Sequence, residues 1–134
     1  MSRRHSKYNV SPPEERRFYG RTYASKAECE YAQSLFKMRE DGLIADFMEQ
    51  PTCRLGVAEN VYRPDFLILP SEPKSQPFFI DVKGHETASF KRNKKLWASH
   101  GWLDLCVVKK FGGKFITTEV VHGRHSHPRD KPAS

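Results

Sequence analysis

The sequence predicts an α/β fold, a mixed β-sheet flanked by helices, and three observations predict it. Residues 25–40 carry a helix-start signal followed by apolar residues at helical spacing. Two short apolar runs, 66–69 and 78–80, are separated by a Pro/Ser/Lys-rich segment and read as adjacent strands. A basic amphipathic stretch at 90–97 then leads into an almost wholly apolar run at 103–108. A length of 134 residues is enough for one core and not two.

The elements follow in order. Residues 1–19 are polar and basic, with Arg3, Arg4, Lys7, Arg16 and Arg17 among Ser and Pro, and are expected to form an extended or flexible arm. The domain proper is expected over 20–121. Ser25-Lys26-Ala27-Glu28 fits a capping box, Ser at the N-cap and Glu three residues on. Ala27, Tyr31, Ala32, Leu35, Phe36 and Met38 continue the helix, and Asp41-Gly42 closes it. Glu28 lies in line with Ala32 and Leu35, so it is the acid that looks inward, whereas Glu30 is expected to face solvent. Leu43–Met48 and Thr52–Val57 read as short strands either side of Gln50-Pro51. The helix around 90–97 should bury Phe90, Leu96 and Trp97 and point Lys91, Arg92, Lys94 and Lys95 outward. Leu103–Val108 reads as a buried strand and Lys114–Val121 as an alternating one after the Gly112-Gly113 turn. Residues 122–134 are expected to be a disordered basic tail.

Composition bounds the function. Lys and Arg total 23 against 16 Asp and Glu, a net charge of +7, which points to an acidic partner such as a nucleic acid. A solvated basic surface is the alternative. No apolar run has the length of a membrane span, and no signal peptide is visible. Cys29, Cys53 and Cys106 are widely spaced and odd in number. They read as reduced core residues of a cytoplasmic protein, not as a disulfide framework or a zinc site.

The chemistry concentrates between Tyr62 and Lys83. Asp65 opens the first strand of the pair, and Asp81 and Lys83 end the second, where a sheet should be burying Phe and Ile. Asp81 and Lys83 are two apart and share a face, with Val82 on the other. Whether Asp65 joins them depends on a register that the connection 70–77 leaves open. Two carboxylates and a lysine on one face would suit a hard divalent cation such as Mg²⁺. A surface ion pair of Asp81 or Asp65 with Lys83 is the plainer alternative.

Pro64-Asp65, a spacer and Asp81-Val82-Lys83, preceded by an acid on an N-terminal helix, resemble the PD-(D/E)XK nuclease superfamily. Together with Gln50-Pro51 and Gly84, these motifs are similar to those of small phage endonucleases. These include Holliday-junction resolvases and the endonuclease I group; the endonuclease subunit of heteromeric transposases is a further relative. The resemblance covers roughly residues 20–110 and implies a restriction-endonuclease-like core acting on DNA with Mg²⁺, for which Mn²⁺ should substitute. It implies that Asp65, Asp81 and the Val82 carbonyl hold the metal, with Glu28 completing the acidic cluster directly or through water. Lys83 would orient or help deprotonate the attacking water, Gln50 would touch the site from a neighbouring strand, and Lys91, Arg92, Lys94 and Lys95 would grip phosphates. A branched substrate such as a four-way junction, in a bacterial or phage-infected cell, implies a homodimer, for which Trp102 and Phe115 are candidate contacts. A linear-duplex endonuclease and a non-catalytic DNA-binding module are the other readings.

Overall fold

The structure is a computed structural model that describes residues 10–56 and 59–124. Most of the expected arm and tail therefore lies outside the described residues. What is described of the arm is folded onto the domain. A 3-10 turn, Pro13–Arg16, is followed by β1 (Arg17–Phe18) and β2 (Arg21–Thr22), which pair antiparallel. The tip residues Tyr19 and Gly20 both have positive φ, 57° and 76°, the backbone that a tight hairpin of this twist requires. Arg16 anchors the turn, donating from Nε to the Ser11 carbonyl and from Nη1 to the Tyr23 carbonyl, each at 2.6 Å. Two-residue strands leave no periodicity to read, which is why this segment passes for an arm.

Helix α1 (Lys26–Glu40) starts where the capping signal places it, the Ser25 hydroxyl accepting from the Glu28 amide at 3.0 Å. Its buried residues Cys29, Ala32 and Leu35 pack against Ile44, Phe47, Phe66, Ile68, Ile80, Val82 and Val108. Strand β3 (Ile44–Glu49) follows Gly42, whose φ of 79° turns the chain. The expected strand over 52–57 is reduced to β4 (Cys53–Arg54), which pairs only with β5 (Val61–Tyr62) in a separate ribbon.

Strands β6 (Phe66–Pro70) and β7 (Phe78–Val82) are antiparallel, and the chain then crosses through α2 (Ala88–His100) to β8 (Leu105–Phe111). β7 and β8 are parallel, so the connection needs a crossover, which α2 supplies. Strand β9 (Lys114–Val121) returns antiparallel, giving a five-stranded mixed sheet in the order β3-β6-β7-β8-β9. The expected α/β architecture is thus present. The β8–β9 register shifts between Val107 and Val108, so Ile116 pairs with Lys109 while Val120 pairs with Cys106.

The second face of the sheet is closed by α2, whose Phe90 and Trp97 pack with Leu55, Tyr62, Phe79, Leu105 and Val107. Trp97 is 1% exposed and donates from Nε1 to the Leu103 carbonyl at 2.7 Å. Leu103 and Asp104 are spent on such loop contacts, the Asp104 carbonyl accepting from Phe79, so β8 begins two residues later than expected. The start of the expected tail is also held: His122 Nδ1 lies 2.8 Å from Asp104 Oδ1, and the Arg124 amide donates to Gly101 at 2.8 Å. No helix among the described residues is long and apolar enough to cross a membrane.

Candidate active site

The β6–β7 register decides which charged groups meet. Phe66 pairs with Ile80 and Leu67 with Phe79, so the next antiparallel pair outward is Asp65 with Asp81. Ile80 and Val82 belong to the core under α1, and Phe79 to the core under α2. Asp81 therefore points to the α2 side, and alternation puts Asp65 and Lys83 there too. Asp65 Oδ2 accepts from the Val82 amide at 2.8 Å, which locks the carboxylate across the strand pair. The open question of register is answered in favour of one shared face.

Asp81 is 1% exposed. Its Oδ2 accepts from the Tyr62 hydroxyl, and its Oδ1 lies 3.1 Å from Lys83 Nζ. That ion pair is out of hydrogen-bond alignment, so Oδ1 is a buried carboxylate oxygen with charge beside it and no hydrogen bond. Lys83 Nζ also sits 4.6 Å above the Phe90 ring, whose face holds the ammonium between α2 and the acids. Tyr62 was not legible as a site residue. It looks like any strand aromatic, and only the fold of the β4–β5 ribbon over β7 brings its hydroxyl to Asp81. Burial and the neighbouring Asp81 charge push the Tyr62 hydroxyl far above its ordinary pKa, so it stays a donor.

Glu28 arrives from the first turn of α1 and is 4% exposed. The capping box is only half formed: Ser25 caps the Glu28 amide, but the Glu28 side chain does not close the box. Its Oε2 is buried with no hydrogen-bond partner. Gln50 follows β3 with φ of 51°, a left-handed backbone costing about 1–3 kcal/mol for a residue other than glycine. The Gln50 amide donates to the Asp65 carbonyl at 2.8 Å. The next residue back, Glu49, accepts from the Tyr23 hydroxyl and pairs with Arg21 Nη1 at 3.4 Å. Glu30, expected in solvent, instead pairs with Lys110.

The acids raise one another. Burial first, then the charges of Asp81 and Glu28, push the Asp65 carboxyl up to about 9. Burial also raises Glu28, with Asp81 adding to it and Gln50 and Lys83 opposing. A carboxyl raised in the fold keeps a proton that the unfolded chain has lost above an ordinary pKa of about 4. Stability contributed by Asp65 is therefore fully present below pH ~4 and is lost as pH rises toward 9. The metal-free protein should melt progressively lower from pH 5 to pH 9, and scanning calorimetry across that range checks it. The lowered carboxyls, Asp46 beside Arg39 and Glu86 beside Lys94, act in the opposite sense but below pH ~4, outside this window.

Glu28, Asp65, Val82 and Lys83 line a cleft of about 720 Å³, with Ser25 and Thr87, the N-caps of both helices, at its sides. Asp81 is not in the lining, but its Oδ1 lies 3.1 Å from Nζ of Lys83, which is, and its charge acts on Asp65 and Glu28. Among the described residues no group of three His, Cys, Asp or Glu side chains forms a ready-made metal cage. The donors fit a different kind of site. Two buried carboxylate oxygens lack hydrogen bonds, and Mg²⁺ is characteristically held by one or two carboxylates plus waters and phosphate oxygens.

On α2, Lys91, Arg92 and Lys95 are exposed as expected. Lys94 is not. It bridges Glu86 at 2.8 Å and Glu119 at 2.7 Å, with its side chain 18% exposed. Phe115 packs edge-on against Tyr31 at 5.1 Å, so it is no ready contact for a second copy, whereas Trp102 is 65% exposed.

Residues 5–111 match the family described as "Protein of unknown function (DUF1064)", and the chain belongs to that family. No curated protein and no solved structure matches the chain.

Proposed function

We propose that this member of the DUF1064 family is a metal-dependent endonuclease that hydrolyses DNA phosphodiester bonds, with branched DNA as the preferred substrate. The observation that carries the reading is the meeting of Glu28, Asp65, Asp81 and Lys83 at one cleft, with buried carboxylate oxygens on Glu28 and Asp81 left without hydrogen bonds. A fold keeps such a costly arrangement where a ligand completes it. Glu28 and Asp81, with the free oxygen of Asp65 and the Val82 carbonyl, would hold Mg²⁺ or Mn²⁺. Bound there, the cation supplies Lewis-acid stabilisation of charge building on the phosphate.

The chain's own groups supply the rest. Tyr62 holds Asp81 in one orientation through its hydroxyl. Lys83, fixed between Asp81 and the Phe90 ring, presents an ammonium to the attacking water and to the phosphate oxygens. Water adds to phosphorus as one ester P–O bond breaks, and the departing oxygen takes up a proton. A four-way junction has two-fold symmetry and needs two related cuts, which a symmetric homodimer would place on matching strands.

The deciding experiment sets a labelled synthetic four-way junction beside its linear duplex arms, each with Mg²⁺ and with chelator. Metal-dependent cutting of the junction in preference to the arms is expected. Equal cutting of both sinks the branched-substrate reading, and tight binding with no cutting sinks the nuclease reading.

The exposed cations of α2 should govern salt dependence. Each phosphate neutralised on duplex DNA contributes about 0.9 log unit of affinity per log unit of salt. Replacing Lys91, Arg92 and Lys95 together with Ala should flatten that slope by up to about 2–3 units, measured by fluorescence anisotropy over a salt series. Lys94→Ala alone should leave the slope near wild type, because Glu86 and Glu119 already neutralise it.

A further inference from the structure

Tryptophan is on average a strongly buried residue, yet Trp102 is 65% exposed on the loop after α2, while the other tryptophan, Trp97, is 1% exposed. The backbone is anchored on either side of Trp102. A Cβ at Gly101 would stand 2.6 Å from the Trp97 indole, and the Leu103 carbonyl accepts from Trp97 Nε1 at 2.7 Å. Beside Trp102 opens a cleft of about 310 Å³, at the small end of the ~300–1,000 Å³ range of ligand sites. Its lining includes the buried Leu55, Phe79 and Trp97 and the exposed Thr52, Arg54 and Trp102.

The surroundings of this cleft are basic. Arg54 lines it, Arg63 donates from Nε to Thr52 Oγ1 at 3.3 Å, and the Arg124 amide donates to the Gly101 carbonyl at 2.8 Å. All three arginines are exposed. The adjoining acid, Asp104, is 6% exposed and faces His122 at 2.8 Å, and the β4–β5 ribbon carries one acid, Glu59, in its turn. A two-fold contact with a second copy would set this patch against itself and bring like charges together, which costs affinity. A polyanion that carries flat rings meets the patch without that conflict. Nucleic acid has both parts, phosphates for arginine and base faces for indole. The cleft also shares a sheet face with the acids. Phe79 and Asp81 are two residues apart on β7, so their side chains stand on one side about 7 Å apart. Tyr62 links the two places, its hydroxyl bonded to Asp81 and its ring edge-on to Trp97 with centroids 6.0 Å apart.

We infer that this cleft takes one unpaired nucleobase, stacked on Trp102, with phosphates of the same strand held by Arg54 and Arg63. Bases inside a duplex are stacked and paired, so the cleft engages single-stranded or branch-point segments. The inference rests on the DNA reading above and deepens it, naming the unpaired segment as the feature of the substrate that is recognised.

The test needs no cutting. In chelator, the full chain is titrated with a short oligothymidylate of about 6 nucleotides, or with an abasic oligomer of the same length. Affinity is read by anisotropy of the labelled oligomer and stacking by tryptophan fluorescence. Only two tryptophans are present and Trp97 is buried, so quenching reports on Trp102. Wild type should bind the oligothymidylate about 5–150-fold more tightly than the abasic oligomer and be quenched by it. Trp102→Ala should melt close to wild type and bind both oligomers equally, whereas Trp102→Phe, which keeps a ring, should keep most of the preference. Replacing Arg54 and Arg63 together with Ala should weaken both oligomers alike. Equal binding of the two oligomers by wild type overturns the inference, as does a preference that survives in Trp102→Ala. If such a surviving preference comes with a wild-type dimer that Trp102→Ala splits in sedimentation, the cleft belongs to a second copy instead. Wild type that binds neither oligomer nor the junction overturns this inference and the DNA reading together. Junction cutting without a base preference overturns this inference alone, and a base preference without cutting overturns the nuclease reading alone.

Discussion

At pH 8, Asp65→Asn is expected to stop cutting DNA in the presence of Mg²⁺ and, in metal-free buffer, to melt higher than the wild type. The loss should be at least ~10³-fold, the equivalent of about 4 kcal/mol of lost transition-state stabilisation, because the amide cannot carry the charge that a divalent cation neutralises. The gain in stability has the same origin. Burial and the Asp81 and Glu28 charges push the Asp65 carboxyl up to about 9, so at pH 8 the metal-free fold holds a carboxyl that resists ionising. Asn removes that conflict, and its side-chain oxygen can still accept from the Val82 amide. A gain on the order of 1 kcal/mol is expected, roughly 4 °C for a domain of this size, shrinking toward pH 5 as the wild type keeps its proton. Calorimetry at the two pH values and a cleavage time course test both halves. An Asp65→Asn protein that cuts at a comparable rate would show that the acids are structural.

Glu28→Gln should lose cleavage by about 10²-fold or more while keeping its melting temperature or raising it. The helix cap does not depend on the Glu28 side chain, because it is the Ser25 hydroxyl that holds the Glu28 amide. Burial raises the Glu28 carboxyl and leaves Oε2 without a partner, so what glutamine removes is charge in a place where charge is costly. Glu30→Gln is the matched control on the same helix. It gives up a half-exposed pair with Lys110, worth about 0–1 kcal/mol, and should cut as wild type. Loss of cutting in Glu30→Gln with normal cutting in Glu28→Gln would reassign the helix acid.

Much of this arrangement was legible in the sequence, and the rest has physical reasons for being hidden. Ser25 announced the start of α1, and helical spacing put Glu28 on its inner side, where it lies 4% exposed. Alternation alone placed Asp81 with Lys83. The position of Asp65 opposite Asp81 was not readable, because register depends on how residues 71–77 turn rather than on what they are. Tyr62 and the β1–β2 hairpin were missed because strands of two residues have no period. The half-formed capping box shows tertiary structure overriding a local rule: Ser25 caps the Glu28 amide, while the Glu28 side chain lines the cleft with Asp65 and Lys83. The left-handed Gln50 before Pro51 contradicts local preference outright, and no pattern of residue types announces it. Lys94 reads as one more cation of a solvated face, yet Glu119, 25 positions along the chain, claims it.

The offset in β9 bears on how these molecules keep apart and come together. An eight-residue strand at the rim of a sheet, with Ile116 and Val120 exposed, is the sort of template on which chains stack into fibres. The shift beside Val107 turns Ile116 to the α2 side and Val120 to the α1 side, so no strand laid along that rim can cover both. The Thr118 hydroxyl, at 3.3 Å from the Val107 carbonyl, helps to hold the irregularity in place. The rim is thereby spoiled as a docking ladder, and the protein gains resistance to edge-to-edge aggregation from a single residue of slippage. The shift disfavours extending the sheet into a second copy at the β9 rim, so a contact made there would run through side chains.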